Sequence, residues 1–135
     1  MSPLSYQATR EKLGELDCVI VSPTIANPTS TSGTGGVGKM SAVAVFCHGF
    51  GAGGDDLVGL ASELLDASAT DNPMMLVFPA APLSPDDQGM PGSRAWWLLS
   101  IQRLLSAMED GRYEQIREEV PPGIEDASQK LVATI

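Results

Sequence analysis

An apolar run, Ala42–Cys47, breaks without a spacer into His48-Gly49-Phe50-Gly51-Ala52-Gly53-Gly54, and that junction constrains the fold more than any other stretch of the chain. A short valine-containing run bounded by turn residues reads as a buried strand. The glycines that follow can continue neither a strand nor a helix without cost, so the backbone must turn there. Beyond them Leu57, Leu60, Ala61, Leu64 and Leu65 recur at i, i+3, i+4, i+7 and i+8. That spacing predicts a helix with one buried face, and Asp55 stands where an N-cap would. Strand, glycine loop and helix in this order form a unit of a parallel α/β sheet.

Two further runs supply strands: Cys18–Val21, ended by Ser22-Pro23, and Met74–Phe78, stopped by Pro79-Ala80-Ala81-Pro82. Helical patterns cover Trp96–Met108 and Gly111–Val120. A last helix after Pro121-Pro122-Gly123 would carry Ile124, Ala127, Leu131, Val132 and Ile135 on one face. Residues 23–40, rich in Gly, Ser, Thr and Pro, read as a flexible loop. The expectation is a single α/β domain over residues 1–135, with about three strands and flanking helices. Three strands make a poor sheet for helices to cover on both faces, so the sheet is expected to be incomplete, the N-terminal portion of something larger.

Composition narrows the function classes. With 43% hydrophobic and 19% charged residues the chain is too apolar for a disordered segment. A net charge of −9 lacks the basic footprint of a nucleic-acid binder. No apolar run approaches the ~18 residues that span a bilayer. The first residues, Met1–Gly14, do not have the basic start and apolar stretch of a secretory signal. Two cysteines make no disulfide scaffold, so a cytoplasmic protein is expected. One histidine and two separated cysteines offer no metal-ligand spacing, and neither a metal nor another cofactor is expected. Cys47 and His48 are adjacent on a strand and would point to opposite faces, a poor arrangement for a nucleophile and its base.

Gly33-Thr34-Gly35-Gly36-Val37-Gly38-Lys39-Met40 matches the G-x4-G-K spacing of a phosphate-binding loop. Met40 stands where a magnesium-binding hydroxyl is needed, and a strand follows where a helix should. A strand-to-strand loop is the expected reading.

The stretch Val43–Asp56 carries a stronger signal. A strand ending in His-Gly-Phe-Gly, then a helix, is how α/β-hydrolases build half of an oxyanion hole, because glycines let main-chain N–H groups face a developing negative charge. Phe78-Pro79-Ala80-Ala81-Pro82 follows the next strand, and Arg94-Ala95-Trp96-Trp97 follows a Gly/Pro-rich loop. With these motifs in this order, residues 41–135 resemble the phospholipase/carboxylesterase family of serine hydrolases, which includes acyl-protein thioesterase-like enzymes. The resemblance implies an α/β-hydrolase sheet and a small acyl-ester substrate. It also implies that the Phe50 N–H is the oxyanion donor with Gly51 beside it, and that His48 and Gly49 shape the loop. Trp96 and Trp97 would line or support the substrate cleft, and Arg94 would contact an anion.

The catalytic serine, aspartate and histidine of such an enzyme would lie beyond the last helix. None of the thirteen serines has glycine two residues before and two after, so no nucleophile elbow is present, and the only histidine is His48. Two readings follow: a portion of a serine esterase, inactive by itself, or a non-catalytic fragment that binds a small ligand or a partner. An interrupted sheet would leave an exposed edge, so the chain is expected to be partly molten, self-associated or soluble only with a partner.

ATP and GTP are expected not to bind. Isothermal titration with magnesium present checks this, and micromolar binding abolished by Lys39→Ala would show Gly33–Lys39 to be a phosphate loop.

Overall fold

The computed structural model describes residues 6–24, 42–67, 74–85 and 89–135. The glycine-rich run Gly33–Lys39 and nearly all of the 23–40 loop lie outside the described residues. Four strands form one sheet: β1 (Tyr6–Leu13), β2 (Leu16–Pro23), β3 (Ala42–Val45) and β4 (Met74–Pro79). Their order is β1-β2-β4-β3, with β1/β2 and β2/β4 antiparallel and β3/β4 parallel. The helices are α1 (Ala61–Ala67), preceded by a 3-10 turn at Val58–Leu60, α2 (Ile101–Glu109), α3 (Tyr113–Glu118) and α4 (Ile124–Val132).

The sheet is mixed, with one strand more than the three expected. The addition is β1, whose sequence YQATREKL is mostly solvent-exposed. It forms because the hairpin closes tightly: Leu13 pairs with Leu16 across Gly14-Glu15, and Gly14 has φ +61° while Glu15 does not have a positive φ. Glycine at the first central position of a two-residue turn is the II′ pattern, whose twist suits antiparallel strands. Arg10, Glu11 and Lys12 leave this outer strand charged, which disfavours further pairing at that edge.

Alternating side chains of β2 and β4 go to opposite faces, and both faces are covered. Val19, Val21, Leu76 and Phe78 pack with Ala61 and Leu65 of α1. On the other face Leu16, Cys18 and Val77 pack with Ala81, Trp96 and Ala127 of α4. Phe46 and Phe78 stack with ring centroids 5.4 Å apart. Because β3 and β4 are parallel neighbours, their carboxyl ends lie side by side, the place where open α/β sheets gather ligands. His48–Gly54 leaves one of these ends and Ala80–Pro82 the other. None of the helices among the described residues is long and apolar enough to cross a membrane.

Several local expectations are corrected. The helix after the glycine loop is 3-10 at its start, and Leu60 is 46% exposed while Leu65 is 1% exposed. Asp55 does not cap it; its carboxylate takes Arg10 of β1. The pattern Trp96–Met108 becomes helix only at Ile101, because the Ser100 side chain accepts from the Arg103 N–H at 3.2 Å and caps the helix there. In α4 Ala127 is buried, but Val132 and Ile135 are 65% and 91% exposed. The stripe therefore faces the sheet only at its centre.

Leu65→Ala is expected to cost about 2–5 kcal/mol by opening a cavity between α1 and the sheet. Leu60→Ala is expected to stay within about 0.5 kcal/mol. Urea denaturation of both variants checks the difference.

Candidate functional site

Three residues after β3 the chain turns at Gly49–Ala52. The Ala52 N–H donates to the Gly49 carbonyl at 3.3 Å, and Gly51 has φ +82° at the third turn position, as a type II turn requires. A Cβ on Gly51 would also come within 2.6 Å of the Met90 methyl. Only glycine satisfies both demands. Gly54 permits a second close approach, since a Cβ there would lie 2.6 Å from that of Ala80.

The His48 side chain is 4% exposed and fully committed. The Ala81 N–H donates to its Nε2 at 3.0 Å, so Nε2 carries the lone pair and the proton sits on Nδ1. Nδ1 lies 2.9 Å from the Gly49 carbonyl oxygen and donates to it. The His48 carbonyl accepts from Trp96 Nε1 at 2.9 Å, and the two rings lie 5.6 Å apart. His48 therefore shapes the loop, with neither nitrogen left to accept a substrate proton.

The segment Ser93–Trp96 completes the frame. The Gly51 N–H donates to the Arg94 carbonyl at 3.1 Å, and the Arg94 N–H donates to the Ala52 carbonyl at 2.9 Å. Arg94 Nε donates to the Ala81 carbonyl at 2.7 Å. Leu83 and Ala95 exchange both main-chain bonds, at 3.1 and 2.8 Å. The three segments singled out in the sequence thus meet in one hydrogen-bonded cluster. Gly51 and Phe50 differ in it. The Gly51 N–H is consumed by Arg94, whereas the Phe50 N–H has no acceptor among the described residues. A main-chain donor held by a glycine turn and left without an acceptor can stabilise an oxyanion.

The two tryptophans part company. Trp96 is buried in the core and supports the loop from beneath. Trp97 is half-buried and lines a separate cleft of about 920 Å³, with Leu98, Ile101, Ile116 and Pro122 around it. Another cleft, of about 810 Å³, lies between the β1–β2 hairpin and the glycine loop, with Asp17, Gly53, Gly54, Gly92 and Arg94 among its lining residues. Cys18 is buried and Cys47 exposed overall, and desolvation, only partial at Cys47, raises the thiol pKa of each above the ordinary range. Neither is primed as a thiolate. No group of three His, Cys, Asp or Glu residues among the described ones could hold a metal ion. What the sequence did not disclose is the role of Ala81. Its signal is only position, two residues beyond the strand end.

Removing the His48 side chain (His48→Ala) strands the Ala81 N–H and is expected to cost at least about 1–3 kcal/mol, against about 0.5–1.5 for Trp96→Phe, which deletes one hydrogen bond. Thermal unfolding followed by near-UV circular dichroism measures both. Arg10 donates to Asp55 at 2.5 and 3.2 Å, joining β1 to the end of the loop, and holds the Asp55 carboxyl below its ordinary pKa. A depressed folded-state pKa contributes stability above the unfolded value, and that stability is lost as pH falls through the folded one. Asp55→Asn is therefore expected to flatten the acid limb of the stability curve below about pH 4, as checked by denaturation at pH 7 and pH 3.

Compared with protein-family models, curated proteins and solved structures, the chain matches none.

Proposed function

We propose that this chain carries the oxyanion loop of a serine-type hydrolase acting on acyl esters, whether carboxylesters, phospholipids or thioesters. The observation that carries the reading is the Phe50 N–H, which has no acceptor among the described residues and sits in a turn where the neighbouring Gly51 and Ala52 N–H groups and the His48 ring are hydrogen-bonded. The extra strand adds support. It makes the His48–Gly54 loop the connection between the third strand and the first helix, the connection from which α/β-hydrolases draw an oxyanion donor. The motifs at Phe78–Pro82 and Arg94–Trp97 support it through the family resemblance, and the cysteine usage fits a cytoplasmic setting.

In such an enzyme a serine gives its proton to a base and attacks the acyl carbonyl, whose oxygen gains negative charge near the Phe50 N–H. The C–O or C–S bond then breaks, the alcohol or thiol leaves with that proton, and water later releases the acyl group as the acid and restores the serine. This chain would contribute the donor, not the nucleophile. A second reading, a non-catalytic domain that binds a small ligand or partner, is favoured by the committed His48 ring and the missing elbow serine.

The 135-residue chain is expected to hydrolyse p-nitrophenyl butyrate no faster than buffer and to leave a fluorophosphonate probe unreacted. Labelling of one serine in stoichiometric amount would overturn the assignment of roles. A neutral ester such as dimethyl succinate is expected to shift the Phe50 amide resonance in a ¹⁵N–¹H spectrum. A loop whose amides do not respond to any ester would leave the non-catalytic reading.

A further inference from the structure

The sequence contains five arginines, all among the described residues. Four of them reach a carboxylate: Arg10 with Asp55, Arg103 with Glu119, Arg112 with Asp110 and Arg117 with Glu114. Those four are exposed side chains, where water screens the charge and an ion pair contributes little. Arg94 differs in both respects. It is half-buried, and among the described residues no carboxylate lies within ion-pairing distance of it. Among the described residues, the arginine with most need of a counter-charge is the one without it.

Its anchoring explains how it is held there. Main-chain bonds fix its backbone to the Gly51 amide and the Ala52 carbonyl, and Nε is fixed to the Ala81 carbonyl. Neither terminal nitrogen of the guanidinium has a partner among the described residues. Arg94 lines the cleft of about 810 Å³ together with Gly53, Gly54 and Gly92, whose small size leaves room beside it. A guanidinium with its inner nitrogen pinned and its outer pair unused is pre-set for two-point recognition of an oxyanion. The main chain of Arg94 is also one hydrogen bond from the turn that presents the Phe50 N–H.

We propose that Arg94 is a specificity-determining residue that binds a carboxylate or phosphate group of the substrate, so that the preferred esters are anionic ones. Arg10 is excluded from the role because Asp55 neutralises it. Besides the Arg10–Asp55 pair, Glu11, Asp17 and Asp56 border the same cleft against Lys12 and Arg94, so a ligand with several negative charges would be repelled. A singly charged ester fits that balance. This inference rests on the hydrolase reading for the word substrate, but not for the binding of an anion.

The test is titration of the ¹⁵N-labelled 135-residue chain with dimethyl succinate, monomethyl succinate and inorganic phosphate, following the Phe50 amide and the Arg94 Nε–H signals. Monomethyl succinate is expected to bind about tenfold or more tighter than the neutral diester, as a charge-assisted fork implies. It should shift Arg94 Nε–H, and Arg94→Gln should abolish the preference. Phosphate moving Arg94 Nε–H at lower concentration than monomethyl succinate assigns the anion to the phosphoester class, and the reverse order assigns it to carboxylates. Equal affinity for the monoester and the diester in the unmodified chain, with the Phe50 amide shifting in both, would overturn the proposal and leave the hydrolase reading standing. An Arg94 response to anions with no Phe50 response to either ester would uphold anion binding and overturn the hydrolase reading.

Discussion

The hydrogen bond from the Ala81 amide to His48 Nε2 is the constraint on which the rest of the site depends. It joins the segment after β3 to the segment after β4, and by occupying Nε2 it forces the ring proton onto Nδ1, which then closes on Gly49. One bond therefore sets both the tautomer and the start of the glycine turn. Trp96 reads the other end of the same residue through the His48 carbonyl. Replacing the imidazole with a hydrocarbon of similar volume would keep the packing and lose the tie. Buried polar clusters of this kind fix one arrangement because every half-made alternative leaves a donor or acceptor stranded.

The sheet supplies what the cluster needs. Parallel pairing of β3 and β4 places two loop origins next to each other, and α1 and the centre of α4 pack on opposite faces of the sheet. Arg10 extends the frame from β1 to Asp55 at the far end of the loop. The site is thus held from three directions, by strands, by a buried histidine and by a surface ion pair. Only the last is open to solvent and salt.

Much of this frame was legible from apolar periodicity. The runs at residues 18–21, 42–47 and 74–78 announced β2, β3 and β4, because a buried strand must be apolar. β1 escaped because an outer strand needs few buried side chains, and Tyr6, Thr9 and Leu13 are only half-buried. Its one signal was Gly14. The N-cap assignment of Asp55 failed because a carboxylate near a helix start is drawn equally well by a guanidinium from another strand, and sequence gives no view of Arg10 crossing to it. The same limit applies to the site. His48-Gly49-Phe50-Gly51 could be recognised as a loop, but the atom that holds His48 is a main-chain amide, and main-chain groups have no sequence signature.

The strand order has a consequence for the order of assembly. The β1–β2 hairpin closes across two residues and can form locally, at little cost in chain entropy. β4 cannot. It must enter between β2 and β3, pairing Cys18 with Pro79 and Val45 with Val77, and those contacts are reached only after long stretches of chain have been confined. By this topology β4, one of the two interior strands, pairs after the hairpin, and Ala81 arrives with it. Until β4 docks, His48 has no amide to accept from and the glycine turn has nothing to hold its register. The loop that presents the Phe50 N–H is completed by the pairing that spans most chain in the sheet, so a competent site reports that the whole sheet has closed.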